Sequence, residues 1–213
     1  MISLFEEFSS LHETLPRKLE SQRLVLRCYQ ITDVPSIRAM LDANKERLKN
    51  EFPARVKRVR STEDVEAFVW QVRQLWDVRE AFHFSIWEKQ QQSYVGEVFI
   101  ACISWLVPKG DVGYFVVRQY EGQGMITEAV SAILPFAFDG LQMNKLQIRC
   151  PVDNLRSQRV AERSGFKIEG VLRNDHVNND GHMPLDIVYY GMTPADYRKI
   201  ERKPPDFGKL PLK

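Results

Sequence analysis

The stretch Asp111–Glu128, DVGYFVVRQYEGQGMITE, decides how this chain is to be read. An apolar strand runs into Gln119-Tyr120-Glu121-Gly122-Gln123-Gly124, and a helical pattern begins at Met125. Two glycines with a single residue between them let the backbone approach a ligand with no Cβ in the way. The helix that follows adds unpaired N–H groups and the positive end of its dipole at the same place. A diphosphate fits such a cradle.

Neighbouring residues choose among the designs that share this logic. A Walker loop needs Gly-Lys-Ser/Thr at its end, and Gly124 is followed by Met125 and Ile126, which excludes it. A dinucleotide-binding Gly-x-Gly-x-x-Gly needs glycine where Thr127 stands and an acid closing the next strand, where Arg149 and Cys150 stand. Asp153 lies just behind them, so a nucleotide-dependent oxidoreductase stays on the list as a weak alternative.

A second motif lies about thirty residues downstream. It reads Val152-Asp153-Asn154-Leu155-Arg156-Ser157, followed by Ala161-Glu162-Arg163-Ser164-Gly165-Phe166-Lys167-Ile168-Glu169-Gly170. With the Gln-x-x-Gly-x-Gly loop after GYFVV, this pair of motifs resembles the GNAT acyltransferases, and within them the RimJ/RimL branch that acetylates the N-termini of ribosomal proteins. The resemblance covers about Leu19 to Asp196. It implies an α/β fold, a mixed, mostly antiparallel sheet with helices on both faces. It also implies acetyl-CoA as donor and a primary amine as acceptor, foremost a protein N-terminal α-amino group. A polyamine- or aminoglycoside-type small amine is the rival acceptor, and a non-catalytic acyl-CoA-binding module the rival class.

The resemblance also assigns roles. The backbone of Tyr114, Phe115, Val116 and Val117 would hold the pantetheine arm. The loop Gln119, Glu121, Gly122, Gln123 and Gly124, with Met125 and Ile126 opening the helix, would hold the pyrophosphate. Asn154 would contact pantetheine, and Ser157, three residues on and on the same helical face, would stabilise or protonate the leaving thiolate. Many GNAT enzymes use a tyrosine seven residues after that asparagine; here the position is Ala161, which leaves Ser157 as the acid. In the RimL-like pattern the general base is a glutamate ten residues after the Gly-Phe phenylalanine, a spacing that reaches His176 in the polar loop Asn174–Asp180. An imidazole with a pKa of about 6.5 suits that task, because an α-amino group of pKa about 8 is already partly neutral. Glu97, on the expected strand Tyr94–Ser104, is the second candidate base. Phe52-Pro53 matches an aromatic-Pro pair that shapes the acceptor pocket in the family. The basic loop Arg55, Lys57, Arg58 and Arg60 is a solvated face or a grip on an acidic acceptor or the CoA 3′-phosphate.

Composition bounds these readings. The 213 residues suit one domain with tails, expected as an extension over 1–18, an acetyltransferase domain over 19–197 and a tail over 198–213. A formal charge of +2 gives no global pull toward nucleic acid or acidic membrane, and basic residues without interleaved aromatics give no reason to invoke RNA. No run nears the ~18 apolar residues of a membrane span, and no leader pattern opens the chain, so a cytoplasmic protein is expected. Cys28, Cys102 and Cys150, odd in number and in apolar contexts, read as buried reduced thiols, with no metal site implied. Assembly, a homodimer included, stays open.

Periodicity supplies the elements. Strands are expected at Leu24–Arg27, Phe82–Ile86, Tyr94–Ser104, Val112–Val117, Leu146–Cys150, Phe166–Leu172 and Leu185–Tyr190, with a turn at Pro108–Asp111. Helices are expected after Thr32-Asp33, after the cap Ser61-Thr62-Glu63-Asp64, over Met125–Asp139 with Pro135 kinking or ending it, and after Asn154. Trp70 and Trp76 fall at helical spacing and read as core or interface residues.

Overall fold

The computed structural model describes residues 15–44, 59, 61–177, 181 and 183–200. Its centre is an eight-stranded sheet: β1 (Lys18–Glu20), β2 (Leu24–Cys28), β3 (Phe82–Glu88), β4 (Tyr94–Ser104), β5 (Lys109–Val116), β6 (Lys145–Pro151), β7 (Lys167–Val177) and β8 (Pro184–Met192). The strands lie in the order β1-β2-β3-β4-β5-β6-β8-β7. Every neighbouring pair is antiparallel except β5 with β6, which are parallel. Five α-helices accompany the sheet among the described residues: α1 (Val34–Ala43), α2 (Thr62–Asp77), α3 (Met125–Pro135), α4 (Leu155–Arg163) and α5 (Pro194–Lys199).

Local chemistry explains the boundaries. Ser61 caps α2 in a reciprocal box: its hydroxyl accepts from the Asp64 amide at 3.2 Å, and the Asp64 carboxylate accepts from the Ser61 amide at 2.9 Å. Val65, Val69, Val72 and Trp76 then line the buried stripe of α2. Trp76 meets Phe82 and Phe84 edge-on at 5.2 and 4.8 Å, and both phenylalanines meet Phe136, which joins α2 and the end of α3 over β3. Such aromatic pairs add about 0.5–1.5 kcal/mol each beyond the area they bury. Trp70, by contrast, is 56% exposed, so the expectation of a core role holds for Trp76 alone.

Three other expectations are corrected. The chain turns at Trp105–Pro108 and β5 starts at Lys109, because Lys109 already pairs with Ser104, Asp111 with Ala101, and all of Lys109–Asp111 with β6. As expected at Pro135, α3 ends there, and Phe136–Gly140 continue as a single wider π turn. The residues Asn174–Val177, read as loop, belong to β7, where His176 pairs with Leu185. Cys102 is exposed, whereas Cys28 and Cys150 are buried. Two short elements, β1 and α5, carried no periodicity long enough to read; α5 is set by the box of Thr193 and Asp196. No described helix is long and apolar enough to cross a membrane.

Candidate active site

The parallel pair β5–β6 is the feature that makes a site. The strands are in register only at Lys109↔Lys145, Gly110↔Leu146 and Asp111↔Gln147. Beyond Asp111, β5 runs on to Val116 paired with β4 alone, while β6 runs on to Pro151 paired with β8. The two strands therefore part and leave a wedge, one edge of which is the backbone of Val112–Val116, able to bond an extended ligand as a further strand would. Tyr114, Phe115 and Val116 stand on that edge, with Val117 at its end, where the Val117 amide is tied back to Val95 O at 2.8 Å.

Side chains cross the wedge on both faces of the sheet. Asp111 and Tyr114 are an odd number of residues apart, so they point to opposite faces. On one face Arg149 of β6 pairs with Asp111 at 2.5 Å. On the other, the Tyr114 hydroxyl reaches Ser157 of α4, 2.7 Å from Oγ and donating to the carbonyl at 3.1 Å. Burial pushes the Tyr114 phenol well above its ordinary range, so it stays a protonated donor at any working pH. The Cys150 thiol, buried at the same spot, is pushed up by burial too, with the Ser157 hydroxyl opposing that shift. Asn154 caps α4 by accepting from the Ser157 amide at 3.1 Å, so Asn154 and Tyr114 both contact Ser157, the tyrosine through a side chain the sequence reading did not use.

At the mouth of the wedge lies the glycine loop. Gly122 and Gly124 have φ of +71° and +74°, the left-handed region that side chains rarely adopt. A Cβ built on Gly122 would meet nothing within 4 Å, so the space above it is open, as a ligand cradle requires. The helical bond nearest the start of α3 runs from the Glu128 amide to Gly124 O at 3.0 Å, which leaves the amides of Met125, Ile126 and Thr127 facing out of the helix end. Gln119 and Gln123 tie the loop internally, Gln123 Nε2 donating to Gln119 O at 2.7 Å. Glu121 pairs with Arg156 at 2.9 Å, which links the loop to α4. These residues fit a diphosphate.

The two candidate bases are not equivalent. Glu97 is fully buried in β4; its carboxylate lies 2.5 Å from His83 Nδ1 and accepts from the Tyr29 hydroxyl at 3.0 Å, which in turn meets the Tyr94 hydroxyl at 2.9 Å. His83 stacks on Phe99, and Glu97 is the cross-strand partner of Phe115, on the face opposite Tyr114. His176 stands exposed near the end of the edge strand β7. Phe52, Pro53 and the basic residues Arg55, Lys57, Arg58 and Arg60 lie outside the described residues. Sequence reasoning missed His83, whose partner is fourteen residues away across a hairpin, and Arg23, which contacts the glycine loop from the turn between β1 and β2. The alternation of Phe82, Phe84 and Ile86 already placed His83 on the far face, but nothing in it pointed to Glu97.

Comparison with known proteins agrees with this architecture. The model of the acetyltransferase (GNAT) domain matches residues 23–167, and the chain belongs to that family. Its class is that of the proteins that carry this acetyltransferase domain. The chain is similar to YdaF of Bacillus subtilis (strain 168), 36% identical over 90 residues that make up 42% of this chain and 48% of YdaF. It is also similar to the ribosomal-protein-serine acetyltransferase of Escherichia coli (strain K12), 29% identical over 98 residues, 46% of this chain and 55% of that one. The chain thus spans about half the length of these two relatives. The structure of RimL, a ribosomal L7/L12 α-N-protein acetyltransferase in complex with coenzyme A, shares the fold with a TM-score of 0.73 at 23% identity, covering 85% of this chain and 98% of that one.

Proposed function

We propose that this chain transfers an acetyl group from acetyl-CoA to the α-amino group at the N-terminus of a protein of the ribosomal type. The observation that carries the reading is the Tyr114–Ser157 contact across the parted strands β5 and β6, beside an open glycine cradle. Acetyl-CoA supplies the activated acyl group as a thioester. The likeness to ribosomal-protein acetyltransferases supports a protein α-amine as acceptor, and so does the chemistry, since that amine needs far less help to lose its proton than a lysine does.

The residues divide the work by face. The amides at the start of α3 and in the glycine loop hold the diphosphate, and the edge of Val112–Val116 turned away from β4 holds the pantetheine arm. The amine nitrogen attacks the thioester carbon from the Phe115 face, where Glu97, acting through His83, draws off the proton released. The C–S bond breaks toward the Tyr114 face. There Ser157 gives its proton to the thiolate while Tyr114 donates to Ser157. Attack and departure are thereby served by separate groups that do not compete. The test is to follow thiol release with acetyl-CoA and a panel of N-terminal peptides, polyamines and aminoglycosides. Turnover with peptides supports the reading; turnover with small amines alone, or acetyl-CoA binding without turnover on any acceptor, overturns it.

A further inference from the structure

The glycine loop is tied internally by Gln123 and to α4 by Glu121, and it is also held from the far side of the helix end. Arg23, in the turn before β2 and far from the loop in sequence, donates from Nη1 to Gln123 O at 3.1 Å. Its Nη2 lies 3.7 Å from where a Cβ of Gly124 would stand, so the guanidinium sits over the residue that caps α3. The head group is itself fixed. Nε donates to Glu128 Oε2 at 2.7 Å, and the Arg23 backbone amide donates to Glu128 Oε1 at 2.8 Å. The Ser21 hydroxyl completes the clamp at 2.7 Å from the same Oε1. Glu128 lies in the first turn of α3, one turn from the free amides of the cradle.

From this geometry we infer that Arg23 is a positioning residue for the diphosphate of the acyl donor: it holds the glycine loop in its left-handed shape and adds positive charge to the end of α3. The clamp does two things at once. Glu128 Oε2 holds the guanidinium through Nε while Oε1 holds the Arg23 backbone amide, so head group and backbone are fixed together and the remaining nitrogens stay on the loop. Glu128 meets the guanidinium only at Nε, which leaves Nη1 and Nη2 on the loop side, and the Arg23 side chain is 42% exposed at the mouth where a diphosphate arrives. A simpler role, pinning β2 to α3, would stabilise the fold but would not distinguish donors with and without a diphosphate.

That difference gives the test, which rests on the acetyl-CoA reading above. KM is measured for acetyl-CoA and for S-acetylpantetheine, which lacks the diphosphate, in the unaltered protein and in Arg23→Gln and Glu128→Gln. The Kd for coenzyme A is measured by calorimetry on the same samples. Arg23→Gln is expected to raise KM and Kd for the coenzyme about tenfold, the loss of one charge-assisted contact, and to leave KM for S-acetylpantetheine within about twofold. Glu128→Gln shifts the ratio in the same direction by less, because the guanidinium remains but is no longer gripped. The ratio is taken within each variant, so a lowered folded fraction cancels. A variant ratio equal to that of the unaltered protein overturns the inference, while failure of the unaltered protein to bind coenzyme A overturns the donor reading instead.

Discussion

The Tyr114 hydroxyl lies 2.7 Å from Ser157 Oγ, across the gap where β5 and β6 cease to pair. Two residues forty-three positions apart meet at the parallel junction between β5 and β6. Removing either should show the link. Ser157→Ala is expected to lower kcat about a hundredfold while leaving the KM for acetyl-CoA within about twofold, the signature of lost acid catalysis. Tyr114→Phe should cost less, about tenfold, and the double variant should be no slower than Ser157→Ala alone, since both act on one proton. Steady-state kinetics of the three variants checks this.

Gly122 should tolerate a side chain in the free protein far better than in the complex. Open space above it means Gly122→Val pays only the backbone strain at φ +71°, about 1–3 kcal/mol, visible as a modest drop in melting temperature. The affinity for coenzyme A should fall about a hundredfold or more, because the new methyls fill the cradle. Calorimetry and thermal melts on one sample separate the two effects.

Glu97 and His176 should part company in a pH–rate profile. Glu97→Gln is expected to abolish the limb that rises with pH and to lower kcat about a hundredfold, with His83→Gln reproducing the effect. His176→Ala should leave kcat within about twofold, as expected for an exposed residue at the end of an edge strand. A flattened profile in His176→Ala would return the base to β7.

Acid should weaken the Arg23–Glu128 clamp in a defined direction. Burial pushes the Glu128 carboxyl up, but the Arg23 amide, the Ser21 hydroxyl and the Arg23 guanidinium outweigh it and hold it below the ordinary glutamate value of 4.5. A group whose folded-state pKa is depressed contributes stability that is present above its unfolded pKa and lost as pH falls through the folded one. The stability gap between the unaltered protein and Glu128→Gln should therefore be constant at neutral pH and begin to close below about pH 4.5. Denaturant unfolding at a series of pH values measures the gap.

Most of the sheet was legible because its strands alternate strictly or lie between unmistakable turns, and the cradle was legible because Gly122 and Gly124 need a backbone that few other sequences need. What escaped has a physical cause. His83 and Arg23 act through partners fourteen and more than a hundred residues away, and pattern within a window carries no trace of such pairings. The extension of β7 through His176 escaped because Arg173–His176 are exposed on a sheet edge and polar, the composition of a loop. The wedge itself is a matter of register, three pairs and then none, which composition cannot encode.

The measurement that bears most directly on the central claim is tandem mass spectrometry of a ribosomal-protein N-terminal peptide, carrying an internal lysine, after incubation with this protein and acetyl-CoA. Acetyl transfer through the wedge to an α-amine puts a single acetyl group on the peptide's N-terminal nitrogen, and Ser157→Ala slows its appearance. An unmodified peptide, or acetylation confined to the lysine, would contradict it.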